Sequence, residues 1–360
     1  MVSRPSYSDD HTRPPLRYTP RPTPTPRCHP TVPHIPPALV ATATDRWTPE
    51  SSACAVSVGN FDGVHLGHAA IVFHLCAAAR RLNVPAVAFT FDPHPATLVR
   101  PEAVPAPLTT PARRAELLRS QGVDAVLVQP TVSALVSLPA EQFYTEILRD
   151  RLHARGIVEG ADFRFGAHRK GDLRLLETLC SRDGVELETV PAVVADGLPV
   201  SSSRIRGLVS SGDVRGAAVL LTSPYRLTGT VVEGARRGGT IGFPTANLAG
   251  IATLLPAVGV YAARVTLADR STYPAAVHIG PNISFGETVI SVEAHLIGFS
   301  GHLYGSTLDV DFLDRLRETQ RFESVDSLKA QLSADVARAL AIAGGLPDAS
   351  RASGSPSSRS

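Results

Sequence analysis

The chain has 360 residues, 43% of them hydrophobic and 19% charged, with 35 Lys and Arg against 33 Asp and Glu. That length exceeds one ordinary core and predicts two globular domains, while the composition excludes a wholly disordered or collagen-like chain. Six arginines and four acids fall in the first fifty residues, so the rest is balanced in charge and offers no basic face for a nucleic-acid backbone.

Lys170 and Lys329 are the only lysines. Neither lies in a G-x-x-x-x-G-K-[ST] run, so phosphate chemistry of the P-loop kind is excluded. Cys28, Cys54, Cys76 and Cys180 are widely spaced with no C-x-x-C pair, which fits a reducing compartment better than a zinc cluster or a disulfide framework. There is no run of about 18 apolar residues, and the N-terminus is Pro- and Arg-rich where a signal peptide would be apolar. The expectation is a cytoplasmic protein with no membrane or nucleic-acid partner, monomeric or weakly self-associating.

In chain order, residues 1–50 carry twelve of the thirty prolines and read as a disordered tail, either functional or the product of a start codon placed too far upstream. Residues 51–222 alternate apolar runs with helical periodicity. Strands are expected at 53–58, 85–91, 125–129, 157–159 and 185–190, and helices at 69–82, 111–120, 140–154 and 173–181. That alternation predicts an α/β domain with a doubly wound parallel sheet, whose ligands bind beyond the carboxyl ends of the strands. Residues 223–344 change to short β-branched stretches at 227–233, 260–267, 273–279, 289–298 and 306–312 with Gly and Pro between them, the pattern of an antiparallel β-barrel or sandwich. A C-terminal helix follows, with Leu328, Leu332, Val336 and Leu340 at four-residue spacing. Residues 345–360, rich in Ser, Arg and Gly, read as a second loose tail.

The sharpest motif is Gly59-Asn60-Phe61-Asp62-Gly63-Val64-His65-Leu66-Gly67-His68, which leaves the first strand and enters the first helix. Histidines three apart on a first helical turn lie on one face, beside unpaired backbone N–H groups and the positive end of the helix dipole. Two imidazoles there can stabilise charge gathering on a phosphoryl oxygen, and Gly67 between them permits close backbone approach. A serine cluster, Ser201-Ser202-Ser203, opens a helix after the fifth strand and offers hydroxyl and amide donors to phosphate, with Arg204 and Arg206 adding charge. Phe163 and Phe165 flank Arg164 in the manner of a platform for a flat ligand, a pattern that an alternating strand end would share.

These segments resemble the H-x-G-H nucleotidyltransferases, and in the longer form the prokaryotic bifunctional riboflavin kinase/FAD synthetases. Thr90-Phe91-Asp92-Pro93-His94-Pro95, Asp162-Phe163-Arg164-Phe165-Gly166 with Arg169 and Gly171, and Ser201 to Arg206 follow in the family's order at strand ends. The resemblance covers about residues 53–342. It implies that the phosphate of FMN attacks the α-phosphorus of ATP to give FAD and pyrophosphate, with His65, His68 and Asn60 in catalytic roles. It also implies nucleotide or flavin contacts at Gly59, Phe61, Asp62, Gly67, His94, Asp162, Phe163, Arg164, Phe165, Arg169, Ser201, Ser202, Ser203, Arg204 and Arg206. The attacking phosphate is already an anion near neutral pH, so no strong base is required, and none is evident beside the histidines.

The later segment Gly242-Phe243-Pro244-Thr245-Ala246-Asn247-Leu248, with Glu293 in Val292-Glu293-Ala294-His295, resembles the riboflavin-kinase half of the same family. The resemblance implies that Thr245 and Asn247 hold Mg²⁺ and the ATP phosphates, that Glu293 takes the proton from riboflavin's ribityl hydroxyl, and that Arg317 contacts substrate. An alcohol nucleophile profits from a general base as a phosphate does not, and Mg²⁺ prefers hard oxygen ligands. Departures gather in this half. Gly238-Gly239 stands for the usual Gly-Arg, the stretch His278 to Gly286 lacks the usual initial Asn and Pro-Thr-Phe-Gly, Gly298 occupies a usual Asp, and Thr319 a usual Glu. The alternatives are an FAD synthetase whose barrel is a flavin-binding or regulatory module, nucleotidyl transfer to another phosphorylated small molecule, and a flavin sensor without catalysis.

Overall fold

A computed structural model describes residues 40–41, 53–234, 237–281 and 289–344, all within one compact unit, Ile35–Ser360. The expected tails at 1–50, apart from Val40 and Ala41, and at 345–360 lie outside the described residues, as does 282–288.

The first domain is built on parallel strands β1 (Cys54–Val58), β2 (Ala86–Asp92), β3 (Ala125–Pro130), β4 (Ala154–Gly160) and β5 (Glu186–Val190). Their spatial order is β3-β2-β1-β4-β5, and every pairing is parallel. A two-residue strand, Val40–Ala41, pairs in parallel with Val126 and Leu127 at the outer edge, so these two residues of the expected tail are part of the sheet. β1 is buried at all five positions, as a strand covered on both faces must be. Helices α1 (Leu66–Leu82), α2 (Pro111–Ser120) and α3 (Leu173–Asp183) cross over between strands. Their boundaries follow from capping. Thr110 and Asp172 accept the N–H groups of Arg113 and Leu175, Pro111 occupies the first turn of α2, and Asn83 and Gly184 close α1 and α3 in the left-handed region.

Two expected elements differ. The helix expected at 140–154 is a short turn, Ala140–Gln142, that runs into a π-helical stretch, Phe143–Arg151, and it stops early because Ala154 already pairs with Cys54 as the start of β4. The strand expected at 157–159 is therefore longer, Ala154–Gly160.

Helices α4 (Ser202–Ser211) and α5 (Val214–Leu220) follow, and their buried residues Ile205, Val209, Val214, Ala217 and Leu220 join the core of the second domain. That domain is a closed barrel of β6 (Tyr225–Val232), β7 (Ala246–Ala249), β8 (Gly259–Thr266), β9 (Thr272–Gly280), β10 (Ser291–Leu296) and β11 (Thr307–Arg317). Its order is β7-β10-β9-β8-β11-β6, antiparallel throughout and closed by the β6–β7 pairing, which decides for a barrel over a sandwich. Alternation sets the two faces. In β10, Val292, Ala294 and Leu296 point into the barrel while Ser291, Glu293 and His295 are left on the outer surface.

The C-terminal helix α6 (Val325–Gly344) covers part of that outer surface and packs Ala339 against Val260, Ala262 and Leu316. Its Asp335, wholly buried, accepts from Arg317 at Nε (3.0 Å) and Nη2 (2.7 Å) and from Gln331 at 2.9 Å. Arg317, expected at a substrate, is in this structure the clamp that holds α6 on the barrel. Asp335→Ala leaves the guanidinium without its partner, and breaking a buried pair costs about 3–5 kcal/mol. A loss of that size in unfolding free energy by denaturant titration checks it, with Asp335→Asn losing less because Asn can still accept.

Candidate active sites

The loop after β1 is held by its own buried groups. Asp62, 3% exposed, accepts the amides of Leu108 and Thr109 at 3.0 Å and the Thr109 hydroxyl at 2.9 Å, and it pairs with Arg206. Asp62 faces into the protein, so its part is to fix the loop while Arg206, also donating to Ala106 O, is drawn inward with it. Phe61 and Val64 both adopt left-handed backbone, φ 47° and 44°, a costly conformation for a β-branched residue that persists where surrounding contacts impose it. Phe61 is buried edge-on against the His68 ring, 5.3 Å between centroids. It supports the His68 ring from beneath.

His65 lies just outside the helix, as its N-cap, and His68 is the third residue of the first turn. Each ring caps the other's backbone. His65 Nδ1 accepts the His68 N–H and His68 Nδ1 accepts the His65 N–H, both at 3.3 Å, and the rings stack at 3.6 Å with 14° between planes. This is a capping box made from two imidazoles. Because both Nδ1 atoms are acceptors, each neutral ring carries its proton on Nε2, and the pair presents two N–H donors. Burial pushes His65 down to about 4, against the opposing pull of Asp62 and Asp162. His68 is held well below the ordinary histidine value by burial, then by His65 and Arg114. Both rings are neutral donors at pH 7. A Cβ at Gly67 would crowd the His65 ring, lying 3.0 Å from its Cε1 and 3.5 Å from Val200 O.

That approach of Val200 brings the start of α4 beside the start of α1, so two helix N-termini converge. Ser201 caps α4 by accepting the Arg204 N–H, and the Ser202 hydroxyl donates to Asp62 O at 2.8 Å. Ser203 is exposed. Arg204 is turned away, donating to Ala195 O at 2.7 Å and Leu198 O at 3.1 Å, where it secures the short hairpin before α4. The Asn60 carboxamide lies 2.9 Å from His94 Nε2, the Ala96 amide donates to His94 Nδ1, and the Thr90 hydroxyl donates to Asn60 O. Gly59, the first residue of the loop, is tied to β2 through Phe89 O.

The Asp162 loop, where a platform is expected, is packed against itself and the core. Phe163 and Phe165 stack on each other at 5.5 Å, and Phe165 is buried in the core with Phe143. Phe165 and Gly171 exchange both backbone hydrogen bonds, and Gly166 has no room for a Cβ, which would fall 2.4 Å from Ala140 Cα. The loop is a packed spur, with Asp162, Arg164 and Arg169 exposed on it. The sequence reading missed Arg114. Its buried guanidinium donates to Thr90 Oγ1 and Phe91 O at 3.1 Å and stands 3.8 Å from Asp62. An arginine three and four residues before Leu117 and Leu118 on the apolar face of α2 was the available signal.

On the outer surface of the barrel, Asn247 and Glu293 are register partners across β7 and β10. The Thr245 hydroxyl donates to Glu293 Oε2 at 3.1 Å and Ser291 to Oε1 at 3.2 Å, so the carboxylate is aimed from both sides. Gly234 leaves the space that Asn247 fills, for a Cβ there would sit 2.1 Å from Asn247 Nδ2. His295 Nδ1 donates to Pro244 O at 2.7 Å and steadies the turn before Thr245. His278 lies directly across from Glu293 in β9, a neighbour that the motif alone did not reveal.

A parallel sheet that reverses its strand order beside two neutral imidazole donors is the arrangement of a nucleotidyltransferase, and here one is joined to a barrel bearing a carboxylate beside Thr and Asn. Residues 48–204 match the family model described as FAD synthetase and residues 221–343 the one described as riboflavin kinase. A bifunctional riboflavin kinase/FMN adenylyltransferase of Pseudomonas fluorescens is 38% identical over 82% of this chain and 94% of its own length. One from Escherichia coli K12 is 34% identical over 78% and 90%. A crystal structure titled as a macrolide-efflux protein from Streptococcus pneumoniae superposes with a TM-score of 0.72 at 34% identity, covering 82% of this chain and 95% of that one. Among the described residues no helix is long and apolar enough to cross a membrane. The chain belongs to the bifunctional riboflavin kinase/FMN adenylyltransferase family.

Proposed function

We propose that the chain makes FAD by adenylyl transfer from ATP to FMN, and makes FMN by phosphorylating riboflavin. The observation that carries the first activity is the reciprocal capping of His65 and His68, which leaves two Nε2–H donors side by side at converging helix N-termini. An FMN phosphate oxygen attacks the α-phosphorus, the bond to the β-phosphate oxygen breaks, and pyrophosphate leaves. The two rings stabilise the charge that gathers on the phosphoryl oxygens. Asn60, held against His94, shapes the approach, and Asp162 on its exposed loop faces the nucleotide. Ser201, Ser202 and Arg206 contribute by ordering the cradle; Ser203, Arg164 and Arg169 are left to meet phosphate or flavin.

In the barrel the ribityl hydroxyl attacks the γ-phosphorus, Glu293 takes its proton and ADP departs. Thr245 and Asn247 supply hard oxygen donors of the kind Mg²⁺ accepts, and these two would hold it together with the ATP phosphates. The ion when bound neutralises charge on the transferring phosphoryl group. The carboxylate aimed by Thr245 and Ser291 favours a working kinase over a silent regulatory barrel despite the altered loops. Purified protein given ATP and Mg²⁺ with riboflavin or FMN separately, products resolved by chromatography, tests both halves. FMN and then FAD are expected from riboflavin, and FAD from FMN; FAD from FMN with nothing from riboflavin would make the barrel silent.

A further inference from the structure

Strands β1 and β4 are paired only as far as Val56 and Ile157; beyond that they part, at the place where the strand order of the sheet reverses. Cys54 donates to His153 O, so the alternate amides of β1, those of Cys54, Val56 and Val58, face β4. The Val58 amide therefore points into the opening between the strands. A fully buried strand end ordinarily carries an apolar side chain, yet this chain places Glu159 there, 2% exposed. Glu159 Oε1 accepts the Val58 N–H at 2.7 Å, a side chain doing what the ladder no longer does. Val58 is followed directly by Gly59 and the loop that ends in the paired rings.

We infer that Glu159 is a positioning residue for adenylyl transfer, a carboxyl that splices the end of β1 to β4 and so sets the path of the Gly59–His65 loop. The inference rests on the adenylyl-transfer reading of that loop. Burial holds the carboxyl well above the usual carboxylate range against the opposing pull of the Val58 N–H hydrogen bond, and Asp162 in the following loop pushes the same way as burial. On the β5 side its register partner is the neutral Thr189, and on the β1 side stands Val58. The paired rings at the end of the loop, His65 and His68, are held below the ordinary histidine range by burial. Ionisation would place a buried charge between the strands, with the Val58 N–H as its hydrogen-bond donor. A raised folded-state value also means that stability present at low pH is lost as pH rises through it.

Initial rates of FMN adenylylation from about pH 6 to 10, with thermal melting at each pH, test this in wild type, Glu159→Gln and Glu159→Val. The wild type should lose turnover at the alkaline end, and Glu159→Gln should carry that limb at least about one pH unit higher, because Gln still accepts the amide and does not titrate. The melting point of wild type should fall relative to Glu159→Gln as pH rises. Glu159→Val orphans the Val58 amide and should raise KM for MgATP about five-fold or more, with riboflavin phosphorylation changed less than about two-fold. An alkaline limb that is absent from wild type or identical in Glu159→Gln overturns the inference, and so does an unaltered KM in a folded Glu159→Val. Wild type that makes no FAD at any pH defeats the adenylyl-transfer reading itself and this inference with it.

Discussion

His68→Ala should lower FMN adenylylation by about 10²- to 10³-fold, the usual cost of removing one preorganised donor to a developing oxyanion. The ring is a neutral donor at pH 7, so the loss should lie in kcat with little change in the KM for ATP. Alanine also removes the acceptor for the His65 amide, which costs about 0.5–2 kcal/mol of stability as lost caps do. His68→Asn separates the two effects, since its carboxamide oxygen can restore the cap while no ring donor remains. Activity should stay low in both variants, with melting recovered in Asn. His65→Ala should behave alike, as the rings cap one another. Full turnover in a folded His68→Asn would contradict the role given to the pair.

Glu293→Gln should reduce riboflavin phosphorylation by about 10²- to 10⁴-fold, the range for loss of a general base, and leave FAD formation from added FMN intact. Gln still accepts from Thr245 and Ser291, so the pocket keeps its shape. Loss of both activities would mean that the substitution damages the fold, and loss of neither would remove Glu293 from the mechanism.

The architecture was legible because each domain has its own pattern: near-continuous apolar strands with helices between them, then short β-branched stretches punctuated by Gly and Pro. The π-helical stretch was not, because the apolar residues Phe143, Tyr144, Ile147 and Leu148 satisfy a helical pattern and only the demand that Ala154 pair with Cys54 cuts it short. Strand β7 was hidden inside Pro-Thr-Ala-Asn, which reads as a turn until β6 and β10 flank it. At the first site, the identity and place of His65, His68 and Gly67 came from the string itself. Their reciprocal capping did not, since it requires the extended backbone of His65. The contacts of the arginines were not legible, for a common reason. A guanidinium near a phosphate loop and one that braces it look the same in sequence, and in the structure Arg206 and Arg204 contact Asp62 and the 194–199 hairpin. Glu159 could not be read at all, because an acid in an apolar run acquires meaning only when a parted strand supplies an amide.

Transfer of label from ATP carrying it at the α-phosphorus, with FMN as acceptor, tests the central claim most directly. The account predicts that the label enters FAD in wild type, that γ-label leaves in pyrophosphate, and that both transfers fall together in His68→Asn. Label from the γ-position appearing in the flavin product, or α-label incorporated equally well without the second ring, would contradict it.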